Sequence, residues 1–197
     1  MAEAVLGPDG AARCPWGSGG GALGAYHDTE WGLPVAGEAA LFERLSLEGA
    51  QAGLSWLTIL NKRQRYREVF HAFDVDTCAA MTDDDLDAAM LDVGIVRNRG
   101  KVTSVRKNAR AVIELRADGG LEAYVATFAP AQTPVPARTE DLPTSSAESL
   151  ALSKALKKRG FSFVGPTTMF ALFEATGLVD THLTGCYRRG VSGRWPV

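Results

Sequence analysis

The sequence predicts an all-α fold, and three observations carry that expectation. Apolar residues recur at helical spacing along most of the 197 residues. Alternating Val, Ile and Thr runs, which would signal strands, are lacking. Helix punctuation brackets the apolar stripes, with capping-box pairs ahead of them and glycines behind. The length suits one domain, or two subdomains sharing a core.

Residues 1–12 read as a flexible lead, and Gly19, Gly20 and Gly21 keep the next stretch loose until something ties it. Residues 38–53 and 55–73 are rich in Leu, Ala, Glu and Arg, with Tyr66, Val69, Phe70 and Phe73 at helical spacing. Thr82 and Asp85 form a capping-box pair before a stripe of Leu86, Ala89, Met90 and Val93 that ends at Gly94. A helix over 98–117 carries Val102, Val105, Ala109, Val112 and Ile113, and stops at Asp118-Gly119-Gly120. Four prolines make 129–143 a long loop. Ser145 with Glu148 opens a helix that ends at Gly160, and a last helix near 167–176 ends at Gly177. Residues 191–197 read as a flexible tail.

Composition excludes several classes. No run of 18 apolar residues exists, so no membrane span is expected. Neither is a secretory signal, because MAEAVLGPDGAAR has no charged start followed by an apolar stretch. Three Cys suit a reduced cytoplasm better than a disulfide framework. The net charge of -2 offers no general attraction to nucleic acid, so any polyanion site has to be a local patch.

Cys14 and His27 read C-x12-H, and His182 and Cys186 read H-x3-C. Together they have the composition of a closed tetrahedral zinc site that would join the two ends of the chain. Each pair alone is a weak signal, but the chain has only three His and three Cys. The remaining two, His71 and Cys78, lie in helical stretches where packing is the simpler role.

Two further segments invite a chemical reading. In DVGIVRNRGK at 92–101 a helix stops at Gly94 and a basic helix begins near Asn98. Backbone N–H groups of the turn and the next helix N-terminus would make an anion nest, with Arg97, Arg99 and Lys101 adding charge. That is the layout of a helix-hairpin-helix, which grips a nucleic-acid backbone without reading sequence. On the turn alone a plain helical corner with solvated charges is the commoner arrangement. In LEGAQAGLSW at 47–56, Glu48 stands among apolar and small residues, where a carboxylate needs a partner unless it is solvated. Trp56, with Trp16, Tyr26 and Trp31, could wall a pocket for a flat cationic ring, or could simply be core.

CPW at 14–16, YHDTEWG at 26–32, LEGAQAGLSWLTIL at 47–60, GIVRNRGK at 94–101 and ALSKALKKRGFSFVGPTT at 151–168 resemble the 3-methyladenine DNA glycosylase I family, in the family's order, from about residue 13 to 190. The resemblance implies a helix-hairpin-helix glycosylase fold over 13–190. A helical group at 36–128 would hold the hairpin, and 13–35 with 144–190 would form a zinc-tied subdomain. It implies one structural Zn2+ on Cys14, His27, His182 and Cys186. Glu48 would be the base-recognising acid, Tyr26 and Trp56 its partners in stacking or hydrogen bonding, and Trp16 and Trp31 pocket walls. Gly94, Arg97, Arg99 and Lys101 would meet DNA phosphates, with Leu54 either a wedge into the gap or an ordinary core residue. Ala50 stands where many members have Gln, and Leu23 where some have Tyr. The implied activity is monofunctional hydrolysis of the N-glycosidic bond of 3-methyladenine in double-stranded DNA, by a cytoplasmic monomer. A zinc-stapled DNA-binding module is the alternative that would not need Glu48.

Overall fold

The structure is a computed structural model and describes residues 3–195. Residues 1–2 and 196–197, the outermost parts of the two segments expected to be flexible, lie outside the described residues. The expectation of a mostly helical chain holds. The helices are α1 (Gly21–Thr29), α2 (Glu38–Gln51), α3 (Trp56–Val69), α4 (Val75–Ala80), α5 (Asp83–Leu91), α6 (Arg99–Leu115), α7 (Gly120–Ala126), α8 (Ala147–Lys158) and α9 (Pro166–Ala175).

Their ends follow side-chain chemistry. Ser55 Oγ accepts the Thr58 N–H at 3.2 Å and starts α3. Thr82 and Asp85 exchange hydrogen bonds in the expected capping box of α5. The box of α8 lies one residue later than expected, because Ser146 and Ser149 pair reciprocally, not Ser145 and Glu148. The helix over 55–73 stops at Val69 because His71, Ala72 and Phe73 take left-handed φ values of 52°, 54° and 58°. That turn drives Phe73 into the core and leaves His71 exposed, so His71 has no packing role, whereas Cys78 is fully buried.

Two departures concern the N-terminal region. Residues expected to fray form a short antiparallel ladder, β1 (Val5–Leu6) with β2 (Ala12–Arg13). The ladder is tied down because Tyr187 N–H donates to Ala12 O at 2.8 Å and Arg13 reaches Asp28 at 3.0 Å. The glycine-rich stretch is helical from Gly21, since its far end carries Tyr26 and His27, both buried. At the other end of the chain, Gly193 N–H donates to Gly190 O at 2.9 Å, so 190–193 form a turn.

One core joins α2, α3, α6, α8 and α9 around Phe42, Phe70, Phe73, Phe170 and Phe173. On α6, Val102, Val105, Ala109 and Val112 face inward, and Asn108 bridges both ways to Ser162 in the loop before α9, at 3.0 and 2.9 Å. A second, smaller cluster gathers Cys14, Leu183 and Cys186 against Trp16, Trp31 and Leu142. The long loop supports it, since Pro136 O accepts from Thr184 N–H and Pro134 O from Arg189. Among the described residues no helix is long and apolar enough to cross a membrane.

Candidate functional site

A cavity of about 360 Å³ opens where α1, α2, α3 and α9 meet. Trp16, Tyr26, Trp31 and Trp56 line it together, as the sequence suggested. Trp16 and Trp31 meet edge to face with centroids 4.9 Å apart, and Tyr26 lies 5.3 Å from Trp56. Leu23 also lines the cavity. Ala50 is buried and does not line it.

Glu48 reaches this cavity from the inner face of α2 with only 6% of its surface exposed, so it is no solvated helix-face acid. No donor within the described residues satisfies its carboxylate, and Arg44, on the same helix, is bonded to Glu30 at 2.9 Å. Burial, reinforced by the nearby Glu174 charge, pushes the Glu48 carboxyl up to about 8. Two donors facing the same space also lack partners, the Tyr26 hydroxyl and Trp56 Nε1. An acceptor and two donors left open in an aromatic cavity are groups that a planar heterocycle can satisfy.

Glu174 is the site residue that sequence reasoning missed. It projects from α9 into the cavity, and Thr181 Oγ1 donates to it at 2.6 Å. Burial raises its carboxyl to about 7. The signal was present, because Glu174 interrupts the apolar run of α9 as Glu48 does that of α2.

Leu54 is 41% exposed on the tight turn between α2 and α3, where Gly53 has φ +77°. An ordinary core role is therefore excluded for it. The corner between α5 and α6 forms where expected, but its N–H groups are partly used: Gly94 N–H donates to Asp92 Oδ1 at 2.7 Å and Val96 N–H to the Tyr66 hydroxyl at 3.2 Å. Arg97 is exposed, and Arg99 is exposed while touching Asp87 at 2.5 Å. Lys101 departs from expectation. Its amine is turned inward and donates to Ala50 O at 2.8 Å and Ala52 O at 2.6 Å, capping the C-terminal end of α2 instead of facing solvent.

The four proposed metal ligands converge at the chain ends. Donor atoms of Cys14, His27 and Cys186 all lie within 4.8 Å of one another, a group that could hold a metal ion. His182 lies outside that close set, although its ring centroid is 5.3 Å from that of His27. Its Nε2 is buried without a partner, while Nδ1 meets Asp180 at 2.9 Å. His27 Nδ1 meets Asp28 at 2.7 Å in the same way. A carboxylate on each Nδ1 leaves each Nε2 lone pair for a metal. The hydrogen bonds from the Cys14 thiol and the His27 ring pull the Cys186 thiol down, while the Cys186 partner and burial push Cys14 up. Backbone comes close on two sides, since a Cβ on Gly17 would lie 2.6 Å from the His27 ring and one on Gly32 2.7 Å from His182. The donor set therefore fits a divalent, thiolate-preferring ion.

The sequence model of the methyladenine glycosylase family matches residues 16–189. The chain belongs to this family. It is similar to DNA-3-methyladenine glycosylase 1 of Escherichia coli, 46% identical over 177 residues, covering 88% of this chain and 95% of the relative. Among solved structures, a crystal structure of 3-methyladenine DNA glycosylase I matches with TM-score 0.86 and 44% identity, over 90% of this chain and 99% of the other. The Staphylococcus aureus member, solved to explain 3-methyladenine recognition, matches with TM-score 0.84 and 35% identity, over 90% and 96%.

Proposed function

We propose that the protein hydrolyses the N-glycosidic bond of 3-methyladenine in double-stranded DNA, as a monofunctional, monomeric glycosylase of the cytoplasm that leaves an abasic site. The observation that carries this is Glu48, a buried carboxylate with no internal donor in an aromatic-walled cavity. The named activity of the relatives supports it.

The target base leaves the stack to reach such a cavity, and Leu54 fills the gap as a wedge. Glu48 accepts from the exocyclic amine, Tyr26 and Trp56 supply the open donors, and Trp16 and Trp31 close the walls. N3-methylation gives the base a positive charge and makes it a good leaving group. Glu48 favours that charge, so little acid catalysis is needed. Lys101, beside the wedge turn, is committed to two carbonyls, which argues against a Schiff base and strand cleavage.

The corner before α6 acts as the helix-hairpin-helix. No internal acceptor among the described residues meets the N–H groups of Arg97, Arg99 and Gly100, and these, with the Arg97 and Arg99 side chains at Gly94's turn, hold a phosphate. One Zn2+ on Cys14, His27, His182 and Cys186 would be structural, filled by protein and tying the termini together.

Chromatography of bases released from methylated duplex DNA tests the reading. It predicts 3-methyladenine, little 7-methylguanine, and strands carrying abasic sites without breaks. No release from a folded, zinc-loaded sample would leave only a DNA-binding module.

A further inference from the structure

The cavity holds two carboxylates where recognition of one amine needs a single acceptor. Glu48 comes from α2 and Glu174 from α9, and both line the same space. Thr181, itself buried, fixes one Glu174 oxygen. No cation among the described residues forms an ion pair with either group, although the Arg44 charge favours the Glu48 carboxylate from a distance without offsetting its burial. Arg44 is bonded to Glu30, as is Arg63 at 2.7 Å. The remaining polar group that senses Glu48 is the Tyr26 hydroxyl of α1. Two unpaired acids in an apolar enclosure are costly through desolvation and mutual repulsion. A Gln at 174 would keep the Thr181 hydrogen bond and most of the shape without that cost. What only a second carboxylate supplies is charge.

We propose that Glu174 is a specificity-determining residue, the second carboxylate that makes this cavity select a positively charged alkylated purine over a neutral purine of the same shape. The inference rests on the glycosylase reading of the cavity. Coulomb attraction to a ring cation comes from both acids, while a neutral ring gains only hydrogen bonds. Burial supports the pairing: with Glu48 raised to about 8 and Glu174 to about 7, the empty cavity near neutrality retains protons that a cationic ring displaces.

The test uses the full chain and two probes, 3,9-dimethyladeninium as a fixed cation and 9-methyladenine as its neutral counterpart. Binding is read by quenching of tryptophan fluorescence, since Trp16, Trp31 and Trp56 line the site. The wild type should prefer the cation. Glu174→Gln should cut that preference about tenfold, the scale of one charge pair in a partly screened site, with the larger loss falling on the cation. Glu174→Asp should keep most of the preference, and thermal melting checks that both variants fold. An unchanged ratio in Glu174→Gln, or equal loss for both probes, would overturn the proposal. Wild type that prefers the cation but releases no base from methylated DNA would overturn the glycosylase reading and spare the charge selection.

Discussion

Replacing Glu48 by Gln should make the protein more stable, by an amount that grows with pH. In the folded chain the Glu48 carboxyl titrates near 8, against a usual value of 4.5. Between those values the folded state keeps a proton that the unfolded chain has released. Stability therefore falls as pH rises through that window, and the full penalty applies above pH 8. The difference of about 3.5 units at about 1.4 kcal/mol each sets an upper bound of about 5 kcal/mol, of which the repulsion from Glu174 is one part. Gln removes the titration. The melting temperatures of the two proteins should lie close together at pH 5 and separate steadily, with Glu48→Gln higher by roughly 10 °C at pH 9. Circular dichroism melts of both proteins from pH 5 to 9 give the gap directly, and common groups other than Glu174 cancel. A gap that stays constant across that range, or narrows, would refute the claim that Glu48 is a buried carboxylate without an internal partner.

Chelation should release one zinc per chain, measured by elemental analysis, and lower the melting temperature sharply, because binding to a site that unfolding dismantles contributes to folding. Leu54→Ala should reduce base release from duplex DNA about tenfold in single-turnover assays while leaving free-base binding intact, since the wedge acts on the stack and not on the base. Lys101→Met should cost about 1–3 kcal/mol in denaturant unfolding, because Ala50 O and Ala52 O lose their donor. A phosphate contact at Lys101 would instead change only the salt dependence of DNA binding.

Local signals carried much of this fold and site. The Thr82–Asp85 box and the α6 stripe follow from spacing, because capping and burial there depend on neighbours in the chain. The helix Gly21–Thr29 was hidden because glycine has poor helix propensity, and what holds it is remote: the aromatic cavity at Tyr26 and the cysteine pair at His27. Lys101 and Arg97 look alike in sequence, yet Lys101 sits on the face of α6 that meets the end of α2, while Arg97 lies in the corner before α6 and is exposed. Glu174 went unread although it carries the same mark as Glu48, an acid within an apolar helix. Only the packing of α9 on α2 brings the two into one cavity.

Recognition of the excised base rests on Glu48. Single-turnover release of 3-methyladenine from methylated duplex DNA, wild type beside Glu48→Gln, tests it most directly. The wild type should release the base, and release should drop about a hundredfold or more in a variant that is folded and more stable, the scale of losing one preorganised electrostatic contact. Equal release by the two proteins would contradict it.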